Sequence, residues 1–282
     1  MIYQARAPEP YKMTKTDFEI CDDTGIYWLT GASVFINSHG TKILIDPVLS
    51  LSATNPSISE IDDILQYVNP PIFASEIQNL DAVLYTHADT DHMGPITVNT
   101  LKEIGVTFHG TPYVKDKLIE MGVSEKQIIS HDIQDSFCIG DVIIQMTLAY
   151  HPWQLDFPEQ NLYVYQLSDC CGFKLYTPDG VIWVPGDSRF LPEHLENEDV
   201  DLLFMDFEDN NPIHHFGVEK ALKIVNHLSK ADIIMYHWGT YYAPDKCWFS
   251  ADPASVRDQI INNSRFIEPH PGERIVLHRK NV

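Results

Sequence analysis

Thr86-His87-Ala88-Asp89-Thr90-Asp91-His92-Met93-Gly94 is the stretch that decides how this chain is read. It sets two imidazoles and two carboxylates within six residues, from His87 to His92. Directly before it runs Asp81-Ala82-Val83-Leu84-Tyr85, whose apolar content and length fit a β-strand. A loop that starts at a strand end can turn such side chains inward together, and a metal site needs that kind of rigid base. Taken alone, the cluster fits a polar turn or a helix cap equally well, because Thr and Asp are favoured in both.

On the N-terminal side, Ile26–Leu29, Val34–Ile36 and Lys42–Ile45 are short runs of β-formers separated by Gly31 and by His39-Gly40. They predict an antiparallel meander that stops at Asp46-Pro47, since proline has no N–H to donate. Residues 48–80 are less regular, and the spacing there predicts one short helix over Glu60–Val68. A long connection of this sort is either a lid or a surface insertion.

On the C-terminal side, helices are expected over Pro95–Ile104, Pro112–Met121 and Val218–Leu228. Strands are expected at Val106–His109, Val142–Leu148, Leu162–Leu167, Val181–Val184, Leu202–Met205, Ile233–Tyr236 and Ile275–His278. Three of these strands deliver a metal-capable side chain at their ends: His151, Asp187 and His237. Singly, each has an ordinary explanation as a strand cap, a turn acceptor or a core histidine. Their repeated placement, matching that of His87, is the argument for a site.

The chain of 282 residues carries 19 Lys and Arg against 40 Asp and Glu, a formal charge of −21. That charge opposes nucleic acid and acidic membrane surfaces, and it also serves solubility. No apolar run approaches a membrane span, and residues 1–13 lack the apolar core of a signal peptide. Five cysteines, two of them adjacent at Cys170 and Cys171, show no disulfide spacing. A reduced, cytoplasmic setting is the expectation, with no membrane insertion. Self-association into a homo-oligomer is a general prior for such proteins rather than something these residues indicate. Without repeats, low-complexity tracts or linkers, residues 1–282 read as one domain with sheets inside and helices outside, and 48–80 as its lid or insertion.

With these residues assembled, the sequence resembles the metallo-β-lactamase superfamily. Within it, the resemblance is to the branch holding the ascorbate-6-phosphate lactonase and N-acylphosphatidylethanolamine phospholipase D. The family's His-x-His-x-Asp-His loop corresponds to His87–His92, followed by His151, Asp187 and His237. The branch is suggested by Trp28-Leu29-Thr30-Gly31-Ala32-Ser33, Leu44-Ile45-Asp46-Pro47, Pro185-Gly186-Asp187-Ser188, His237-Trp238-Gly239-Thr240 and Pro271-Gly272-Glu273-Arg274. The resemblance implies an α+β, four-layer αβ/βα sandwich: two mixed sheets face to face with helices outside. It further implies that His87, Asp89 and His151 hold one divalent ion, that Asp91, His92 and His237 hold a second, and that Asp187 bridges them. One position departs from the family loop, where Asp89 stands in place of its second histidine. Zinc is the first expectation, and the added carboxylate moves the preference toward manganese or iron.

Two such ions can share a water, lower its pKa for attack and stabilise the leaving oxygen, which suits ester, lactone, amide or phosphodiester hydrolysis. Residues 86–98, 150–173, 205–219 and 232–245 contain no Lys or Arg, leaving Arg189 as the one cation close in sequence to a proposed ligand. Phosphate recognition usually adds such cations. The same loops carry Trp153, Phe157, Phe216, Trp238, Tyr241 and Tyr242, with Trp248 and Phe249 just beyond. These fit either an apolar substrate wall or ordinary packing beneath the loops. The expected activity is that of a lactonase or esterase on a neutral or weakly charged small molecule, with Asp91, His215, Tyr150 and Tyr241 as catalytic candidates and His214 as a weaker one. The alternatives are a phosphodiesterase, a di-iron redox enzyme, and a binding module with a vestigial site.

Overall fold

The computed structural model describes residues 3–52, 60–208, 215–243, 249 and 251–280. The three N-terminal runs form the expected meander of β1 (Thr24–Thr30), β2 (Ser33–Ser38) and β3 (Thr41–Ile45). His39 and Gly40 both take positive φ, 49° and 96°, in the two-residue turn between β2 and β3. Such a turn matches the natural twist of a hairpin.

The strands that follow in the first half are β4 (Glu60–Ile61), β5 (Ile64–Leu65), β6 (Ala82–Leu84), β7 (Thr107–Gly110), β8 (Ile128–Ser130) and β9 (Ser136–Ile139). The second half adds β10 (Val142–Leu148), β11 (Cys171–Thr177), β12 (Gly180–Val184), β13 (Leu202–Met205), β14 (Asp232–Met235), β15 (Phe266–Ile267) and β16 (Ile275–Val276). The helices are α1 (Pro95–Leu101), α2 (Pro112–Glu120), α3 (Gly217–His227) and the short α4 (Pro253–Val256).

These strands build two seven-stranded mixed sheets, ordered β16-β1-β2-β3-β6-β7-β8 and β15-β14-β13-β12-β11-β10-β9. Because side chains alternate across a strand, each buried strand feeds two layers. Ile26, Trp28, Val34, Ile36, Ile43 and Ile45 meet Ile144, Met146, Phe173, Leu175, Ile182 and Val184 in one core. Their neighbours Tyr27, Leu29, Phe35, Leu44 and Val83 point the other way, into a second core shared with Val98 and Leu101 of α1 and Val114 and Leu118 of α2. On the opposite sheet α3 lies against β13. The four-layer αβ/βα arrangement expected from the sequence is the one found.

Two expected elements differ. Residues 60–68 form no helix: β4 and β5 make a hairpin whose two turn residues, Asp62 and Asp63, take φ of 47° and 65°. Ile61, Ile64, Leu65 and Val68 fall at helical spacing by coincidence, and the tolerance of Asp for left-handed backbone decides the outcome. Leu162–Leu167 is no strand, because both edges of β10 are taken by β9 and β11. Strands β8, β9 and β11 were not anticipated, although β11 lies between β10 and β12. Its Cys-Gly start and its Lys174, which is buried and paired with Asp199, hide it in the sequence. Among the described residues no helix is long and apolar enough to cross a membrane.

The strand directions place the site. β3 runs parallel to β6, and β12, β13 and β14 run parallel to one another. β10 points the same way as β12, since both are antiparallel to β11. The residues just past β3 and β6 in one sheet, and past β10, β12, β13 and β14 in the other, meet over the seam between the sheets.

Candidate metal centre

Two of the residues at that seam are fixed by the backbone beside them. Past β12, Gly186 has a φ of 69°, and a Cβ there would lie 2.6 Å from the carbonyl oxygen of Cys171. Only glycine lets the chain turn there and present Asp187 inward. Past β14, His237 adopts a φ of 60°, and its N–H donates to the Gly31 carbonyl at 2.8 Å. Gly31 N–H in turn donates to Thr240 Oγ1 at 2.8 Å, and Trp28 stacks on Trp238 with centroids 5.7 Å apart. The Trp28–Ser33 and His237–Thr240 phrases are therefore two sides of one joint.

The seven expected ligands converge. One oxygen or nitrogen from each of His87, His151 and Asp187 lies within 4.8 Å of the others, and the same holds for Asp91, His92 and His237. Asp187 Oδ2 stands between the groups, 3.2 Å from His92 Nε2, 3.5 Å from His237 Nε2 and 4.0 Å from His151 Nε2. Asp89 Oδ2 is 3.2 Å from His87 Nε2 and 3.3 Å from His151 Nε2. Asp91 Oδ2 is 3.4 Å from His237 Nε2.

Behind this ring stand carboxylates that the sequence reading did not assign. Asp46, past β3, sits 2.8 Å from His92 Nδ1, and it accepts hydrogen bonds from Thr86 N and Thr86 Oγ1 at 2.7 and 2.6 Å. Asp206, past β13, sits 2.7 Å from His215 Nδ1, and Glu208 Oε2 lies 3.6 Å from His237 Nδ1. A carboxylate on the far nitrogen fixes a ring's tautomer and raises the basicity of the nitrogen that faces a metal. An apolar strand ending directly in Asp, as at Ile45-Asp46 and Met205-Asp206, was the available signal.

The electrostatics follow from the crowding. Burial opposes ionisation of Asp187, yet His237, His92 and His215 hold its pKa well below the usual carboxylate range. Burial likewise opposes charge on Asp89, and His151 and His87 outweigh it, so its pKa is also depressed. His87 is pushed down by burial and by the charge of His92. His92 and His237 go up despite burial, chiefly because of Asp187. The surrounding carboxylates thus favour positive charge at the centre.

The remaining candidates take distinct places. His215 is buried, with Nε2 3.8 Å from Asp187 Oδ2, and Glu208, Asp187 and Asp206 overcome its burial to raise its pKa to about 9. The Tyr241 hydroxyl lies 3.4 Å from the Asp91 carbonyl oxygen, and its ring packs edge-on against Phe249 beneath the site. The half-buried Tyr150 carries the guanidinium of the exposed Arg189 over its ring at 5.4 Å. His214 and Trp248 lie outside the described residues. Of the aromatic residues, Phe216 and Trp238 belong to the core, whereas Trp153 donates its indole N–H to Asp89 Oδ2 at 2.8 Å. Tyr165, not anticipated, donates to Asp89 Oδ1 at 2.6 Å.

These residues fit divalent metal. His87 Nε2, His92 Nε2, His237 Nε2 and Asp187 Oδ1 are buried without a hydrogen-bond partner. Leaving such atoms unsatisfied costs about 1–3 kcal/mol apiece. Their convergence, with imidazole and carboxylate donors together, suits zinc, manganese or iron.

The family model described as the beta-lactamase superfamily domain matches residues 41–238, from β3 to just past the His237 ligand candidate. The chain belongs to the beta-lactamase superfamily. Among curated relatives of this superfamily member, a protein of Pyrobaculum islandicum described as a UPF0173 metal-dependent hydrolase is 25% identical over 222 residues, 77% of this chain and 84% of the relative. Among solved structures, an isothiocyanate hydrolase from Delia radicum gut bacteria aligns with a TM-score of 0.69 and 17% identity, covering 89% of this chain and 98% of that one. A diiron beta-hydroxylase from Streptomyces venezuelae aligns with a TM-score of 0.64 and 16% identity, covering 92% of this chain and 54% of that one. These structural likenesses concern the fold.

Proposed function

We propose that this superfamily member is a metal-dependent hydrolase that opens lactones or esters of neutral or weakly charged small molecules. The observation that carries the reading is the set of buried, unpartnered donor atoms on His87, His92, His237 and Asp187, turned to one point at the seam. His87, Asp89 and His151 would hold one divalent ion, Asp91, His92 and His237 a second, and Asp187 would touch both. Bound there, such ions lower the pKa of water and polarise the scissile carbonyl.

The chain's own residues do the rest. Asp46 and Asp206 keep His92 and His215 oriented, and Glu208 places negative charge beside His237. His215, with its Nδ1 proton on Asp206, points Nε2 toward Asp187 and is placed to give a proton to the leaving oxygen. Tyr241 supports the Asp91 backbone, and the stacked Tyr150 and Arg189 lie in sequence beside the ligand candidates His151 and Asp187. The absence of Lys and Arg from residues 86–98, 150–173, 205–219 and 232–245 favours an uncharged substrate.

Phosphodiester hydrolysis is the second reading, favoured by the exposed Arg189 beside Tyr150. Purified, metal-loaded protein should turn over lactones or carboxylic esters from a panel that also holds phosphodiesters and an isothiocyanate, the last included because a protein of this fold is named for that activity. Turnover of phosphodiesters alone would overturn the lactonase or esterase reading. Elemental analysis of the protein as purified, before metal is added, with oxygen uptake, separates both from a di-iron redox enzyme.

A further inference from the structure

Asp89 is held from outside the metal centre by two donors that come from one segment. Between β10 and β11, residues 153–156 form a short 3-10 turn, and the chain returns through Tyr165. The buried Gln154 ties the two arms, its Oε1 accepting from Tyr165 N at 3.2 Å. From this clamp the Tyr165 hydroxyl donates to Asp89 Oδ1 at 2.6 Å and the Trp153 indole donates to Oδ2 at 2.8 Å. The remaining face of Oδ2 looks at His87 Nε2 and His151 Nε2, at 3.2 and 3.3 Å.

We infer that Trp153 and Tyr165 are positioning residues that make Asp89 a one-oxygen ligand, offering Oδ2 to the His87–His151 side and withholding Oδ1. This rests on the two-metal reading above. A carboxylate held this way replaces one imidazole nitrogen with one oxygen, so the exchange adds negative charge without adding a donor atom. The clamp also selects the residue. An indole N–H can only donate, and it donates here to Oδ2 itself, which has a second lone pair to give a metal, whereas a ligating imidazole nitrogen has only the one. A histidine ligating from position 89 would therefore leave the Trp153 N–H without an acceptor, whereas aspartate satisfies it.

Cobalt(II) tests this, because its visible absorption is intense at low coordination number and weak at six. Wild type, Tyr165→Phe, Trp153→Phe and Tyr113→Phe are titrated with cobalt, following spectra and affinity. Tyr113 is the control, since its ring meets Tyr165 edge-on at 5.3 Å. In Tyr165→Phe, Oδ1 is freed to chelate, and the absorption per bound cobalt, averaged over the two sites, falls by up to about half. In Trp153→Phe one class of site binds about 10-fold more weakly. Tyr113→Phe matches wild type. Wild-type spectra and affinities in both test variants would overturn the inference while leaving the metal reading intact. Failure of wild type to bind cobalt would overturn the metal reading and this inference with it. Thermal unfolding of each variant identifies a collapse of the loop, which would lower affinity in both variants without the selective spectral change.

Discussion

Asp187 reaches across the centre through one oxygen, and the structure gives it no substitute: Oδ2 is within 4.0 Å of imidazole nitrogens from His92, His237 and His151. Asp187→Asn keeps the shape and removes the charge that two cations would share. Bound metal should fall by more than half and hydrolytic activity by about 100-fold or more, measured by elemental analysis beside the substrate panel. Unchanged metal content would refute a bridging role. The residues that converge here were legible because each follows an apolar strand, and strand ends are where this fold exposes side chains. Asp46 carried the same mark, but Pro47 made it look like a simple stop. Trp153 stood out only as a possible substrate wall and Tyr165 not at all, because their partner Asp89 is 64 and 76 positions away.

The hairpin of β4 and β5 shows how a short element can hold a longer one. From its turn, Asp62 accepts hydrogen bonds from Ile96 N, Thr97 N and Thr97 Oγ1, at 2.6, 2.9 and 2.6 Å, and so caps the start of α1. It is buried, and α1 follows directly on the loop that carries His92. Asp62→Ala strips these donors of their acceptor and should cost roughly 2–3 kcal/mol, read from urea unfolding, with faster amide exchange at Ile96 and Thr97. Unaltered stability would mean that the hairpin is dispensable to α1. The sequence showed α1 through Pro95 and its apolar spacing, yet concealed the hairpin. Two consecutive left-handed aspartates leave no periodic signature, and only the pairing of Ile61 with Ile64 reveals the turn.

Across the molecule, buried neutral histidines set an acid limit. His194 Nδ1 accepts from Leu191 N at 3.1 Å and Nε2 donates to the Leu148 carbonyl at 3.0 Å, so its ring is held uncharged. Burial lowers its pKa from the ordinary 6.5 to about 4, and burial with neighbouring His131 does the same for His109. The unfolded chain binds protons first as pH falls from 6.5 toward 4, so this stability is complete above 6.5 and lost across that interval. Wild type should lose roughly 2 kcal/mol more than His194→Gln between pH 7 and pH 5. Equal losses in the two proteins would exclude His194 as the source.

The seam itself has a consequence for the cell. Ligand candidates come from loops of both sheets, so a metal that binds the folded chain also opposes its unfolding. In a host starved of that metal, the unfolded fraction grows and proteases remove it. Such starvation should therefore be visible as a fall in the amount of the protein present, alongside any fall in turnover.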